Sequence, residues 1–326
     1  MTMANPEQPS LASGVSPGKH LQDALTSRRQ FLRQFLGASF MAAGGIWMRD
    51  KVFASSTGPS QPLRFVQLSD THIGYQGDAN RDVLGSLAIA LGAIALLDPK
   101  PDFIVVTGDL TQGTSQESER LKRFQTFRHH LLSLHIPVYT VAGEHDALMD
   151  QGKSYEKAMG PLYYDFRLHG VQFYALDNVS RGFFVGEKQR QWLKQRLKQA
   201  NPLAPTVIFC HAPLYDVFSP WNWYTYDAHE VLKLFAPFHH LSVFFGHVHQ
   251  LLNHQASFIT QYGAMPTSWP LPEPGFLTVL ERWPQSTSDP YMGLGFRVVD
   301  IKNAGMVQIQ NVLLQDAVNL RRRSSP

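Results

Sequence analysis

The chain has 326 residues, 44% of them hydrophobic and 17% charged, which is enough apolar material for one large core and too little charge for a disordered protein. Its net charge of +3 and pI near 8.9 invite a nucleic-acid reading, but of the 29 basic and 26 acidic residues, six basic (Lys19, Arg28, Arg29, Arg33, Arg49, Lys51) and three acidic (Glu7, Asp23, Asp50) fall in residues 1–54, leaving 23 of each beyond. A body without net basic charge has no general field for a polyanion, so no nucleic-acid partner is expected, and the single cysteine, Cys210, excludes an intrachain disulfide framework or a multi-cysteine metal site.

Taken in chain order, the first feature is Ser27-Arg28-Arg29-Gln30-Phe31-Leu32, followed by a moderately apolar stretch containing Gly and Ala over 35–47 and by Val52-Phe53-Ala54, with small residues at the third and first positions before a cut. This resembles a twin-arginine signal peptide, whose route carries folded proteins. The resemblance implies the twin-arginine export machinery as a partner and a periplasmic location. The stretch is too short and Gly-rich for a membrane-spanning helix, so no stable membrane span is expected. Residues 1–54 are therefore read as signal peptide, 55–62 as linker, 63–315 as the main domain and 316–326 as a basic C-terminal tail.

Short β-branched and aromatic runs at 63–68, 103–107, 137–141, 171–176, 206–209 and 241–245 predict buried strands. Helical spacing covers 82–97, 116–134 and 187–199, the last with Trp192, Leu193 and Leu197 in one stripe. This alternation predicts an α/β domain. Beyond Ile259 the pattern becomes strand-like at 275–280, 295–301 and 306–314, as antiparallel strands completing a sheet would be. Cys210 closes a strand, where alternation turns it away from His211 and predicts a buried, inert thiol.

The polar residues fall at the C-terminal ends of the predicted strands. Asp70 and His72 follow the first, Gly108-Asp109 the second, Gly143-Glu144-His145-Asp146 the third, His211 the fifth and Gly246-His247-Val248-His249 the sixth. In open α/β sheets the ligand crevice lies outside those ends, so five distant clusters can converge. Extended backbone would point Asp70 and His72 the same way, and likewise His247 and His249. Carboxylates together with imidazoles suit first-row transition ions such as Fe, Mn or Zn, not calcium. Seven such residues are too many for one tetrahedral site. With one carboxylate shared they suit two ions roughly 3.5–4 Å apart, the spacing of two-metal phosphoryl hydrolases.

Asp70-x-His72, Gly108-Asp109, Gly143-Glu144-His145-Asp146, His211 and Gly246-His247-x-His249, in this order, resemble the signature of the calcineurin-like metallophosphoesterase superfamily over residues 63 to about 250. The departure is Glu144, where the family usually has Asn. The resemblance implies a four-layer α/β/β/α sandwich of two mixed sheets. It places Asp70, His72, Asp109 and His249 on one metal and Asp109, Glu144, His211 and His247 on the other, with Asp109 shared. It implies hydrolysis of a phosphate ester by a hydroxide bridging two transition-metal ions, with monoester and diester unresolved. His145 matches the family's non-ligand histidine, placed to stabilise the transition state or protonate the leaving oxygen. Asp146 beside it is expected to orient and charge that imidazole. Gln112 stands where the purple acid phosphatase branch has a tyrosine ligand, which disfavours that branch. A second reading is a metal-binding or partner protein of the same fold that has lost hydrolysis through Glu144. The aromatic stretch from Ser219 to Tyr226, together with Trp269, is read either as a wall of the crevice or as core.

Overall fold

The computed structural model describes residues 62–302 and 305–318. The predicted signal peptide, all but the last residue of the linker and most of the basic tail lie outside them. Strands are β1 (Leu63–Leu68), β2 (Phe103–Thr107), β3 (Val138–Val141), β4 (Tyr164–Leu168), β5 (Val171–Ala175), β6 (Thr206–Phe209), β7 (Leu241–Phe245), β8 (Leu252–Ala256), β9 (Ile259–Gly263), β10 (Gly295–Ile301) and β11 (Val307–Leu313). Helices are α1 (Val83–Ile94), α2 (Glu117–Leu132), α3 (Glu144–Ala147), α4 (Lys153–Met159), α5 (Gly186–Leu197) and α6 (Ala228–Lys233).

Both sheets are mixed. The first has the order β11-β10-β1-β2-β3, with β1, β2 and β3 parallel and β10 antiparallel to both β1 and β11. The second has the order β4-β5-β6-β7-β9-β8, in which β5, β6, β7 and β9 are parallel and the edge strands β4 and β8 antiparallel.

Strand alternation sorts the side chains into three apolar layers. Phe65, Phe103, Phe173, Phe209 and Phe244 meet between the sheets, Phe65 stacking on Phe103 at 5.1 Å and meeting Phe244 and Phe209 edge-on at 5.3 and 5.6 Å. Val66, Leu68, Ile104 and Val106 face the opposite way, onto Leu87 and Leu91 of α1 and Phe124, Phe127 and Leu131 of α2. Ile208, Val243 and Phe245 face Leu193 of α5, Val231 of α6 and Phe235. The result is the expected α/β/β/α sandwich. Strands covered on both faces read as continuous apolar runs, which is why these were visible in the sequence. Truncating a ring such as Phe65 to Ala would cost about 3–5 kcal/mol, because transfer and cavity terms add.

The helices form for local reasons as well. Asp82 caps α1, its Oδ1 accepting the Gly85 N–H at 2.8 Å, and Phe124, Phe127 and Leu131 of α2 share one face. Arg120 on α2 donates to Asp150 at 3.1 Å, holding α2 against the segment between α3 and α4.

Several expectations are corrected. Residues 275–280 form no strand: they belong to an irregular segment between β9 and β10 that opens with Pro266, Pro270, Pro272 and Pro274. The strands before and after it in the chain are each paired on both sides, β9 by β7 and β8 and β10 by β1 and β11, so it extends neither of them. Strands β4, β8 and β9 were not predicted. β4 and β8 are edges carrying polar residues (Tyr164-Asp165-Phe166-Arg167-Leu168 and Leu252-Asn253-His254-Gln255-Ala256), and edges need no continuous apolar run. Among the described residues no helix is long and apolar enough to cross a membrane.

Candidate metal centre

The C-terminal ends of β1, β2, β3, β6 and β7 bring Asp70, His72, Asp109, Glu144, His211, His247 and His249 together. Donor atoms of Asp70, His72 and His249 lie within 4.8 Å of one another, and so do those of Glu144, His211 and His247, and those of Asp70, Asp109 and His211. Asp109 stands between the two outer groups. Its Oδ2 is 3.4 Å from His72 Nε2 and 3.6 Å from His211 Nε2, one histidine of each group. These are the positions expected of a shared carboxylate.

Extended alternation is not how these side chains converge. Asp70, His72, Asp109, His247 and His249 all adopt left-handed backbone, with φ of 52°, 44°, 48°, 64° and 52°. Each such residue costs about 1–3 kcal/mol and persists only where its surroundings over-determine it. Here the loops are stitched together: Asp70 N–H donates to Gly108 O at 3.0 Å, His72 N–H to Asp109 O at 2.9 Å, and Gly246 N–H to His211 O at 3.0 Å. Two glycines are required by close approach. Gly108, at φ 97°, lies under the His211 imidazole, and a side chain at Gly143 would strike the backbone and carboxylate of Asp109.

The nitrogen of each ligand-type histidine that faces away from the cluster is held by an oxygen. His211 Nδ1 donates to Thr107 O at 2.7 Å, His249 Nδ1 to Trp269 O at 2.5 Å, His72 Nδ1 to Gln112 Oε1 at 3.1 Å and His247 Nε2 to Asn222 O at 3.3 Å. With the proton fixed on that nitrogen, the inward one presents a lone pair, as a metal ligand must. Inward atoms crowd one another instead of pairing. His72 Nε2 and His249 Nε2 are 3.2 Å apart, and Glu144 Oε2 and Oε1 lie 2.8 and 3.0 Å from His211 Nε2 and His247 Nδ1. Asp70 Oδ2, Glu144 Oε2, His211 Nε2 and His247 Nδ1 are buried without a hydrogen-bond partner. Donors about 2.0–2.1 Å from a shared tetrahedral ion stand about 3.4 Å apart, so the 3.2–3.6 Å separations fit cation coordination.

Without a cation the electrostatics are polarised in the same sense. Burial alone would lower the His211 pKa, yet the facing Asp109 and Glu144 carboxylates raise it well above the usual imidazole range. Burial would raise Glu144, but His247 and His211 hold it well below the usual carboxylate range. His72 is pushed well down by burial, helped by His145 and His249. Around Asp109 and Glu144 the carboxylates thus favour positive charge, which a bound cation would supply without protons.

His145 and Asp146 do not form a couple. Asp146 is buried and accepts from Leu110 N–H and Thr111 N–H, both at 2.9 Å, from Thr111 Oγ1 at 3.0 Å and from Gly143 N–H at 3.0 Å. It ties the second motif loop to the third and does not orient or charge His145. Burial, with Asp109 nearby, pushes its carboxyl up to about 7. His145 Nδ1 instead accepts N–H groups from Gly113 at 3.2 Å and from the Gln112 amide at 3.1 Å, while the same amide holds His72. This arrangement keeps the His145 hydrogen on Nε2.

Gln112, Asn222 and Trp269 were missed as supports of the cluster. Thr107 and Trp269 act through backbone carbonyls, as does Asn222, and no side-chain pattern reports a carbonyl. Trp269 also packs against His72, the rings 4.4 Å apart and tilted by 31°, under Arg282, whose guanidinium lies 5.2 Å from the indole ring. Of the aromatic stretch, Trp221 and Trp223 are core, while Tyr224 is half-buried and Tyr226 exposed. Cys210 is buried in the layer behind the second sheet, its thiol pushed up to about 12 by burial.

Comparison with known proteins agrees with this site. Residues 63–251 match the family model described as calcineurin-like phosphoesterase. A 3′,5′-cyclic-nucleotide phosphodiesterase from Nostoc sp. is 24% identical over 217 residues, 64% of this chain and 79% of its own. A probable glycerophosphodiester phosphodiesterase from Arcobacter nitrofigilis is 28% identical over 163 residues, 45% of this chain and 56% of its own, so the chain spans little more than half of that relative. In three dimensions, a dimetal phosphatase from Danio rerio superposes with a TM-score of 0.56 at 15% identity, covering 79% of this chain and all of the other, which speaks to fold. Since the matched segment covers more than half of the chain and contains all seven clustered residues, the chain belongs to the calcineurin-like phosphoesterase family.

Proposed function

We propose that the protein is a metal-dependent hydrolase of phosphate esters. The observation that carries this reading is the pair of donor groups, Asp70–His72–His249 and Glu144–His211–His247, joined by one oxygen of Asp109 and containing buried donor atoms without partners. Asp70, His72, Asp109 and His249 would hold one transition-metal ion, and Asp109, Glu144, His211 and His247 a second. When bound, such a pair supplies an acidified water and positive charge facing the phosphoryl oxygens. The protein's own part is preorganisation. Four carbonyl-type acceptors fix the imidazole tautomers, the Thr107, Trp269 and Asn222 carbonyls being joined by the Gln112 amide. Trp269 keeps solvent from one face of His72. His145, held with hydrogen on Nε2, is a donor for a phosphoryl or leaving oxygen.

The relatives are named as phosphodiesterases of cyclic nucleotides and glycerophosphodiesters and as serine/threonine-protein phosphatases, so diesters and monoesters are both substrates to try. Full-length protein loaded with Fe, Mn or Zn and assayed on nitrophenyl mono- and diesters tests the reading. Metal-dependent turnover of either class is expected. Two bound ions with no turnover of any ester would favour the alternative, a metal-binding protein that has lost hydrolysis, whose support is the carboxylate of Glu144 among the donors. Export by the twin-arginine route is proposed from Arg28-Arg29 and the apolar run behind them. Arg28→Lys with Arg29→Lys should retain the protein in the cytoplasm, and normal periplasmic delivery of that variant would remove the case.

A further inference from the structure

Outside the donor cluster, the largest unexplained feature is a set of aromatic rings beside His247. They stand on two loops, one before α5 and one before α6, that are bound to each other and to the cluster. Phe183 O accepts the Tyr226 N–H at 2.9 Å, and the Asp227 carboxylate accepts Val185 N–H at 2.9 Å and Gly186 N–H at 2.8 Å and pairs with Arg190. The Asn178 amide donates to Thr225 Oγ1 at 2.7 Å and to Ala212 O at 2.8 Å, and its oxygen accepts the His211 N–H at 3.2 Å. Asn222, whose carbonyl holds His247, accepts the Tyr226 hydroxyl through its own side chain at 3.3 Å.

Two of the rings on this platform, Phe184 and Tyr226, are exposed, and Phe183 and Tyr224 are half-buried. Phe183 lies 5.2 Å from the His247 imidazole, on backbone with φ 65°, a conformation that a bulky aromatic residue rarely takes. Phe184 and Tyr226 stack at 4.7 Å with planes 17° apart, yet are 44% and 47% exposed, and Tyr224 lies 4.5 Å from Tyr226. The loop is anchored without them, because Trp221 and Trp223 already bury its apolar side. The opposite flank of the cluster is closed, with Trp269 stacked between His72 and the Arg282 guanidinium and almost fully buried.

We infer that Phe183, Phe184, Tyr224 and Tyr226 form a specificity shelf that receives a planar aromatic group, a nucleobase or an aryl ring, carried by the phosphate ester. The inference rests on the proposed function, since the donor cluster is what holds the phosphoryl end. With that end fixed, the rest of the substrate leaves past the open flank, which is the His247 side. The shelf side chains carry no charge, so a neutral group is preferred there, and flat exposed rings reward a flat partner more than a chain of equal area.

The test uses ligands that cannot turn over: methylphosphonate, cyclohexylphosphonate and phenylphosphonate, titrated calorimetrically into the metal-loaded full-length protein. Phenylphosphonate is expected to bind about tenfold more tightly than methylphosphonate, with cyclohexylphosphonate between them. Phe184→Leu with Tyr226→Leu, which keeps apolar bulk but removes both planes, should bring the phenyl and cyclohexyl compounds together. Tyr226→Phe should retain the preference, and unchanged metal content checks that each variant is folded. Equal binding of the phenyl and cyclohexyl compounds by the wild type, or a phenyl preference surviving the double substitution, overturns the shelf alone. Failure of all three to bind the metal-loaded protein overturns the phosphoesterase reading and the shelf with it.

Discussion

The two donor groups are built differently. Asp70, His72 and His249 are sealed, at 0%, 1% and 4% exposure, with Trp269 over His72 and the Gln112 amide behind it. In the second group His211 and His247 are buried too, at 0% and 8%, but it opens at one residue: the Glu144 side chain is 20% exposed, and His247 is steadied by the carbonyl of the exposed residue Asn222 beside the aromatic shelf. On the proposed function, the sealed group would hold its ion by rigidity, whereas the more open one would admit substrate and respond to the residue at position 144. The departure from the family pattern sits in the open half.

Substitutions at five positions would break or sharpen that contrast. The largest effect is expected from Asp109→Asn, because a carboxylate whose single oxygen faces histidines of both groups becomes a neutral amide. Both ions should bind more weakly by elemental analysis, and ester hydrolysis should fall by about a hundredfold to a thousandfold or more. Retention of two ions would show that Asp109 is not shared. His145→Ala should come next, with kcat reduced by about a hundredfold and metal content retained. Its neighbour makes the control: Asp146→Ala leaves the donors of Leu110, Thr111 and Gly143 unpaired and should destabilise the fold by about 2–5 kcal/mol in urea denaturation. If Asp146→Ala kept full stability and lost only kcat, the tie between the motif loops would be the wrong account.

Glu144→Asn should act more moderately and in the opposite direction. Glu144 adds a carboxylate to those of Asp70 and Asp109, so the site carries more negative charge and suits a harder or higher-valent second metal. With Asn, preference should move towards two divalent ions and generic ester hydrolysis should rise, by about tenfold if one charge is worth about 1.4 kcal/mol in the barrier. Identical metal content and rates in the two forms would show that Glu144 has no such influence. The smallest effect is expected at Asn222, whose φ of 57° suits Asn or Gly but not a β-branched residue. Asn222→Val should shift the carbonyl behind His247 and weaken binding of one ion about tenfold, whereas Asn222→Gly should spare it. Equal metal affinity in Val and Gly variants would show that the open half does not depend on that turn.

The buried strands of an α/β domain and the identity of the clustered residues were legible because each rests on side-chain type, whereas the four-layer sandwich was implied only by the family resemblance. Runs such as Phe103-Ile104-Val105-Val106 are apolar where sheets are covered on both faces, and Asp70, Asp109 and His211 closely follow strands of this kind. Edges such as Leu252-Asn253-His254-Gln255-Ala256 were illegible because their pairing comes from a neighbour, not from their own pattern. The run at 275–280 misled for the converse reason: its residues suit a strand, but the strands before and after it in the chain, β9 and β10, are each paired on both sides already.

The sequence by itself determined which residues could bind metal, their order along the chain, and that an acidic residue stands at position 144 of the motif. Tertiary structure alone decided how they are aimed. The left-handed turns at Asp70, His72, Asp109, His247 and His249 replace the extended alternation that the spacing suggested. Asp146, adjacent to His145, serves the loop backbone instead of the imidazole, whose hydrogen is placed by Gly113 and Gln112. The carbonyls of Thr107, Asn222 and Trp269 select the tautomers of three histidines. A carbonyl is present at every position in a chain, so only the fold, by bringing one particular oxygen to one particular nitrogen, can make it specific.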